Sequence, residues 1–296
     1  MKTIGTKGKQ QITNREKLTN KYKEEDAMKN IKYVISLIII FVFAFSIYMY
    51  NDKNKSIQTS STSIEKLSNK KIEWGIKRND NHEQPDLGSL NKRIIDEAKG
   101  IAMGNKDSKK VYLTFDEGYE AGYTSKILEV LKQNDVKACF FITAHYVNTS
   151  SELVQKMIDE GHIIGNHTVN HKSMPSLNEE QIKSEVMQLH QTVHEKFGYE
   201  MNYIRPPKGE YSEKTVAYCN SLGYTTVMWS FAYDDWDENK QGREEYAKKK
   251  ILDNIHNGAV ILLHGNSKDN TNILDYCIKE IKNMGYEFAS LDNFER

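Results

Sequence analysis

Two adjacent carboxylates, Asp116 and Glu117, follow an apolar segment that alternates like a β-strand and precede a glycine. Neighbouring carboxylates repel each other unless a proton, a cationic side chain or a metal ion shares their charge. Further along the chain, His167 and His171 are four residues apart, a spacing that can direct both imidazoles at one divalent cation. A solvated acidic turn is the alternative for the carboxylates alone. Together the four side chains predict a metal site beside a candidate general base.

Three further segments also combine strand ends with polar or aromatic side chains: Arg205–Tyr211, Trp229–Trp236 and Ile261–Gly265. The first places a guanidinium before two prolines, the second mixes aromatic rings with aspartates, and the third ends an apolar strand in His264. Each has a structural alternative: an arginine paired with a surface acid, an aromatic core edge, or a buried histidine with satisfied hydrogen bonds. Their shared position at strand ends favours one common site.

Short apolar runs alternate with amphipathic helical patterns over most of the chain. The predicted strands are Val111–Phe115, Ala138–Ile142, His162–Gly165, Thr225–Met228 and Ala259–Leu263; the predicted helices are Ser125–Gln133, Glu152–Glu160, Asn178–Phe197, Glu213–Leu222, Glu244–His256 and Thr271–Met284. This alternation predicts an α/β fold with parallel strands, and the number of units favours a closed or nearly closed barrel. Active sites of such folds form at the carboxyl edge of the sheet.

The N-terminal third has a different composition. Residues 1–32 predict a cytoplasmic tail, residues 33–50 are eighteen uncharged and mostly apolar residues, and residues 51–72 predict a flexible linker. Six Lys or Arg in residues 15–32 against four in 51–70 favour the tail inside, with a catalytic domain at 73–296 outside the membrane. A buried core helix and a cleaved signal peptide are alternatives, but no small-residue cleavage site follows residues 33–50.

The net charge bears on the class of partner, and the cysteine content bears on disulfide bonding. A formal net charge of zero gives no indication of nucleic acid as a partner. Three cysteines (Cys139, Cys219 and Cys277) are widely separated and odd in number, which predicts core thiols and leaves one disulfide bridge open.

The five motifs, taken in order, resemble those of the polysaccharide deacetylase family, also called the NodB-homology family or carbohydrate esterase family 4. They are Thr114–Glu120 (TFDEGYE), His167–His171 (HTVNH), Arg205–Tyr211 (RPPKGEY), Asp234–Trp236 (DDW) and Leu262–His264 (LLH). The flanking sequences resemble most closely the PdaA-type branch, which acts on N-acetylmuramic acid of peptidoglycan.

The resemblance implies a distorted (β/α)7 barrel. The length and apolar character of residues 33–50 predict a single transmembrane helix before it. The resemblance also implies a hydrolysis of an acetamide assisted by one divalent cation, with zinc as the expected ion. Asp116 matches the catalytic base, Arg205 the arginine that orients it, and His264 the general acid. The metal ligands are expected to be His167 and His171, with Glu117 as a third candidate. We expect substrate contacts from Trp229, Tyr233, Asp235, Trp236, Tyr119 and Pro207.

The chain departs from the family pattern at two positions. The second carboxylate of the first motif is usually Asp and a metal ligand, whereas this chain has Glu117. The family often has an Asp three residues before the Asp-Trp pair of the fourth motif, where this chain has Ala232. The sequence alone therefore does not decide whether Glu117 binds the metal. It also does not decide whether an aspartate adjusts the pKa of His264.

The expected function is membrane-anchored deacetylation of N-acetylmuramic acid in peptidoglycan by a monomer, supporting muramic δ-lactam formation in spore cortex. One alternative is deacetylation of N-acetylglucosamine in peptidoglycan or another exported polysaccharide. A non-catalytic glycan-binding protein is a third hypothesis.

Overall fold

The structure is a computed structural model of the 296-residue chain. It describes Ile64–Arg296 without a break and, before them, only Met28, Ile38, Phe41–Phe43, Phe45–Ser46 and Met49, all helical. The chain divides into two compact units, Met1–Ser63 and Ile64–Arg296. All of the predicted tail except Met28, eleven of the eighteen residues of the predicted anchor, and the linker up to residue 63 lie outside the described residues. Among the residues with a described structure, no helix has the length and apolar character needed to cross a bilayer.

A curled parallel sheet forms the centre of the second unit, which confirms the α/β prediction. Its strands are β2 (Lys110–Glu117), β3 (Cys139–Ile142), β4 (Ile163–Asn166), β5 (Tyr203–Ile204), β7 (Thr225–Thr226), β8 (Val260–His264) and β9 (Glu287–Phe288). The order is β7-β5-β4-β3-β2-β8, with β9 beside the start of β2. The register pairs Asp116 with His264 across β2 and β8, and Asn166 with Ile204 across β4 and β5. Residues of separate motifs are thereby brought to the same edge.

Helices connect the strands and cover the sheet. They are α1 (Ser89–Glu97), α2 (Thr124–Gln133), α3 (Ala144–Thr149), α4 (Ser151–Asp159), α5 (Glu179–Phe197), α6 (Glu213–Ser221), α7 (Glu244–Asp253) and α8 (Lys268–Asn283). The longest, α5, begins with a capping box in which Asn178 and Gln181 satisfy each other's backbone N–H groups. It ends at Gly198, whose positive φ provides a left-handed C-terminus. Such caps explain why a local sequence pattern located this helix well.

The segment between β7 and β8 contacts strands near both edges of the curled sheet. The Val227 backbone N–H donates to Ile204 in β5, and the Ser230 N–H donates to Val260 in β8. A parallel bridge also joins Phe231 to Ile261. The predicted strand Thr225–Met228 is therefore shorter than expected, because the chain leaves β7 after two residues to follow this path.

Residues that precede the sheet pack against it as well. Strand β1 (Ile72–Glu73) pairs antiparallel with β6 (Glu210–Tyr211), and the Trp74 N–H donates to the Gly209 carbonyl at 2.9 Å. The Trp74 indole donates to the carbonyl oxygen of Trp229, also at 2.9 Å. Ile64, within the predicted linker, is buried. The folded unit thus extends back to residue 64.

The core lies between the sheet and the helices. Phe115 of β2 and Phe140 of β3 are fully buried and stack with ring centroids 5.1 Å apart. The three cysteines are free and buried, so the prediction of core thiols is confirmed. Burial raises the pKa of the Cys219 and Cys277 thiols to about 12, which makes them poor nucleophiles at neutral pH.

Candidate active site

Asp116 forms a buried ion pair with Arg205 at the carboxyl edge of the sheet. The Nη1 atom of Arg205 donates to Oδ1 of Asp116 at 2.7 Å, and the arginine side chain is fully buried. Burial alone would raise the pKa of Asp116, but the Arg205 guanidinium, with a smaller contribution from His264, lowers it below its ordinary value. Asp116 is therefore ionised at neutral pH, as a general base must be.

The rest of the Arg205 guanidinium is fixed by the sheet. Its Nη2 atom donates to Oγ1 of Thr114 at 2.9 Å, and its Nε atom donates to the carbonyl of Val227 at 3.1 Å. Its central carbon lies 4.2 Å from the centre of the Phe141 ring, a cation–π contact. Since every edge of the planar group has a partner, Arg205 can hold Asp116 in one orientation.

His167 and His171 bring their Nε2 atoms to 3.1 Å of each other. The Nδ1 atom of His167 lies 2.9 Å from the carbonyl oxygen of Arg205, so Nδ1 carries the proton there and Nε2 is left with a lone pair. Burial lowers the pKa of both imidazoles, and that of His171, also lowered by His167, to about 4. Both rings are therefore neutral at physiological pH, the form in which histidine binds metals.

These two histidines fit two positions of a divalent-cation site. Two nitrogen ligands of a tetrahedral zinc ion lie about 3.3 Å apart, close to the Nε2 separation here. The contact of His167 with a backbone carbonyl is the outer support that metal-binding histidines commonly have. The Oδ2 atom of Asp116 lies 3.4 Å from Nε2 of His167. No group of three His, Cys, Asp or Glu side chains in the described part of the chain forms a ready-made metal site.

Glu117 does not join the histidines. Successive side chains of a strand point to opposite faces, and the buried carboxyl of Glu117 packs against Gly265, where any Cβ atom would overlap it. Within the described part of the chain, neither of its oxygens has a hydrogen-bond partner. Burial, with Glu120 and Asp116 adding like charge, raises the pKa of Glu117 well above its ordinary value. The structure therefore places the Glu117 carboxyl in a buried position against Gly265 rather than beside the histidines as the expected third ligand.

His264 stands beside Asp116 and is held by Asp235. Its Nδ1 atom lies 2.8 Å from Oδ1 of Asp235, and its backbone N–H donates to Oδ2 of the same carboxylate at 2.8 Å. Burial alone would lower the pKa of His264, but the Asp235 carboxylate raises it above its ordinary value. Asn270 donates a further hydrogen bond to Asp235. An aspartate therefore does tune this histidine, and it is the aspartate that we expected to contact substrate.

The remaining predicted substrate residues fall into two groups. Trp236 and Tyr119 are 57% and 38% exposed, and Nδ2 of Asn266 contacts both the Trp236 carbonyl and the Tyr119 hydroxyl. Tyr233 and Pro207 are buried and present no open face to a sugar. Tyr233 instead donates a hydrogen bond to Asn270, the residue that supports Asp235.

Trp229, another predicted substrate residue, packs against Trp74 and Arg205. Its ring lies edge-on to Trp74, with centroids 6.4 Å apart, and the Arg205 guanidinium lies 5.7 Å from its centre. A side chain at Gly209 would collide with this ring, and the positive φ of Gly209 also favours glycine. Trp229 therefore forms part of the wall that packs around Arg205.

Sequence reasoning missed several supporting residues. Thr114 is a partner of Arg205, Asn270 supports Asp235, and Glu185 of α5 accepts hydrogen bonds from the loop that carries His171. Thr114 faces the same side of β2 as Asp116, two residues away, so strand periodicity could have indicated it. Asn270 and Glu185 are distant in sequence from their partners and gave no local signal.

The chain is similar to known proteins of one family. The family model for polysaccharide deacetylases matches residues 103–227. The chain is 41% identical over 234 residues to the peptidoglycan-N-acetylmuramic acid deacetylase PdaA of Bacillus subtilis, covering 79% of this chain and 89% of that protein. It is 32% identical over 192 residues to a peptidoglycan-N-acetylglucosamine deacetylase of Bacillus cereus, covering 64% of this chain and 69% of that one.

A solved structure supports the same assignment. The structure of Bacillus subtilis PdaA, described as a family 4 carbohydrate esterase, matches with a TM-score of 0.75 at 41% identity and covers 77% of this chain and 98% of that one. The chain belongs to the polysaccharide deacetylase family, carbohydrate esterase family 4, whose members hydrolyse N-acetyl amide bonds of glycans.

Proposed function

We propose that this protein removes the acetyl group from N-acetylmuramic acid residues of peptidoglycan. The observation that carries the chemistry is the pairing of Asp116 and His264 on neighbouring strands, one ionised by Arg205 and the other made more basic by Asp235. Amide hydrolysis needs a base to deprotonate water and an acid to protonate the leaving amine. The two side chains are suited to those separate roles because their surroundings move their pKa values in opposite directions.

On the base side, Asp116 would accept the proton of the attacking water. Its Oδ1 atom is occupied by Arg205, so Oδ2, on the side of His167, is the oxygen free for this step. The buried arginine keeps the carboxylate ionised and prevents it from rotating. On the acid side, His264 would donate a proton to the amine nitrogen from Nε2, because Nδ1 is bound to Asp235.

We further propose that His167 and His171 hold one divalent cation, with zinc the expected ion, through their Nε2 atoms. When bound, such a cation polarises the acetyl carbonyl and lowers the pKa of water. The chain itself supplies two neutral imidazoles that face each other and a carbonyl that fixes the tautomer of His167. Glu117 is left out of this ligand set because its carboxyl packs against Gly265.

The substrate assignment rests on similarity to the relative that acts on N-acetylmuramic acid. The match to that relative covers more of this chain, at higher identity, than the match to the relative named for N-acetylglucosamine. Deacetylation of N-acetylglucosamine in peptidoglycan or another polysaccharide is the alternative. A contribution to spore cortex is part of the proposal and rests on the resemblance to the PdaA-type branch alone.

Location and architecture complete the proposal. Peptidoglycan lies outside the membrane, so we infer that residues 33–50 anchor the protein and that the catalytic unit is extracytoplasmic. We also infer that the curled sheet, with the Val227–Phe231 segment, is a distorted (β/α)7 barrel. Protease treatment of intact cells would test the orientation: degradation of the catalytic unit supports an outside location, and protection until lysis contradicts it.

One assay tests the substrate and the chemistry together. The full-length protein is incubated with peptidoglycan glycan strands, with and without a chelator, and acetate release is measured. We expect release that the chelator abolishes and zinc restores, and mass analysis of the digested products should place the lost acetyl group on muramic acid. Loss from glucosamine would support the alternative substrate. No release by the wild type under any metal condition would contradict deacetylation.

A further inference from the structure

His171 lies in a loop with an unusual backbone. Thr168 has φ of 67° and His171 has φ of 53°, a left-handed region that residues with side chains rarely adopt. Such conformations persist only where the surrounding structure fixes them. The separation of the two histidine Nε2 atoms therefore depends on whatever anchors the loop between them.

Glu185, on α5, is one anchor of this loop. Its Oε2 atom accepts a hydrogen bond from the Asn170 backbone N–H at 2.7 Å, and Oε1 accepts one from Nδ2 of Asn170 at 2.8 Å. Its backbone carbonyl accepts from the Val169 N–H at 3.0 Å. The Lys172 ammonium lies 3.3 Å from Oε1. One buried residue of a helix thus holds the residues on both sides of His171.

Asn166 holds the inner side of the same loop. Its Oδ1 atom accepts the Thr168 N–H at 2.9 Å, and the Thr168 hydroxyl oxygen accepts the His171 N–H at 3.1 Å. Asn166 is itself fully buried, and its Nδ2 atom donates to the Val186 carbonyl, the next residue of α5 after Glu185. Both anchors therefore connect the histidine loop to a single turn of α5.

We propose that Glu185 is a positioning residue that sets the cation affinity of the His167–His171 pair. Among the residues that the structure describes, Glu185 contacts Val169, Asn170 and Lys172 but neither histidine ring. It therefore acts through the loop of residues 169–172. The inference rests on the proposed metal-assisted deacetylation. A buried carboxylate is suited to this position because each of its oxygens accepts a separate hydrogen bond from Asn170 and both bonds are strengthened by its charge.

Glu185→Gln in the full-length protein tests the proposal. The amide keeps the shape, but it has one oxygen instead of two and presents an NH₂ group to Asn170 or Lys172. We expect the zinc dissociation constant, measured by calorimetry after chelator treatment, to rise at least about tenfold, the effect typical of losing an outer support of a metal ligand. Acetate release at saturating zinc should return to near the wild-type rate, while the zinc concentration for half-maximal activity rises.

Glu195→Gln is the matched control, since Glu195 is an exposed residue of the same helix whose carboxylate contacts Gln191. It should leave zinc affinity unchanged. A folded Glu185→Gln protein that binds zinc as tightly as wild type would overturn the proposal. If that variant does not fold, Asn170→Ala takes its place: it removes one of the two carboxylate contacts, and unchanged affinity there would overturn the proposal equally. Wild-type zinc binding without acetate release would instead contradict the proposed function and leave the role of Glu185 standing.

Discussion

Asp116 and His264 are neighbours in the register of the sheet, yet the two sides of the site are built differently. The side of the proposed base, which we call the base side, consists of Asp116, Arg205 and His167. It is almost completely buried and is formed by three strands and the residues that follow them. The acid side consists of His264 and Asp235, with His264 22% exposed and Asp235 in an irregular loop. The buried side fixes charge by a strong ion pair, and the open side leaves its histidine able to gain and lose a proton.

Removal of the base should have the largest effect on activity. Asp116→Asn keeps the size of the side chain but cannot accept the proton of water, so we expect acetate release to fall by about 10³-fold, within the range for a general base. The Arg205 guanidinium also loses its buried partner, and the melting temperature should drop. Asp234→Asn is the control, because Asp234 pairs with Lys240 at the surface. Acetate release near the wild-type rate in Asp116→Asn would contradict the assigned role.

Removal of the acid should have a smaller effect that depends on the leaving group. His264→Ala should lower acetate release from the glycan by about 10²-fold, because the amine must then leave without a proton donor. Release from an activated aryl acetate should fall far less, since a phenolate leaves unprotonated. His194→Ala, at an exposed histidine of α5, provides the comparison. Equal losses on both substrates would show that His264 does not act as the acid.

The aspartate behind the acid should change the pH profile more than the maximum rate. The Asp235 carboxylate raises the pKa of His264, and His264 must be protonated to act as an acid. Activity should therefore decline as the pH rises through this pKa, and Asp235→Asn should move that decline to lower pH. Rate measurements across the alkaline range test this, with Asp234→Asn again as the control. An unmoved alkaline limb would mean that Asp235 only positions the ring.

Glu117→Gln should have the smallest effect on activity. The raised pKa of Glu117 favours its protonated form in the folded protein, so an amide of the same shape should preserve zinc content and acetate release. In the wild type, stability should fall as the pH rises from the ordinary glutamate pKa towards the higher value of the folded state, because only the unfolded chain ionises freely. The variant should lack this decline in thermal melts. A loss of bound zinc in Glu117→Gln would instead show that Glu117 reaches the cation.

The sequence predicted the parts of the molecule that repeat regular patterns. Buried strands such as β2 and capped helices such as α5 carry their periodicity locally. The two-residue strand β5 is too short to do so, and α1 is rich in charged side chains that hide its two buried isoleucines. The sequence therefore defined the α/β class and most elements, and the short strands needed the structure.

The candidate site divides in the same way. The motifs located Asp116, Arg205 and His264 at strand ends, where the structure brings them together. The roles of Tyr233 and Asp235 could not be read from the sequence, because the loop that carries them has no periodicity to indicate which side chains turn inward. The orientation of Glu117 was open for a different reason: adjacent strand residues face opposite sides, but the last residue of a strand can turn either way.

The segment around Trp74 has a practical consequence for any shortened form of this protein. The family model begins at residue 103, so a truncation at that boundary would look safe on sequence grounds. Trp74, however, bonds to Gly209 in the loop after Arg205 and to Trp229 in the segment that leads to Asp235. Trp74 therefore connects the loop that follows Arg205 with the segment that leads to Asp235. A shortened protein that starts after Trp74 would lose these contacts, and one that starts at or before Ile64 would keep them.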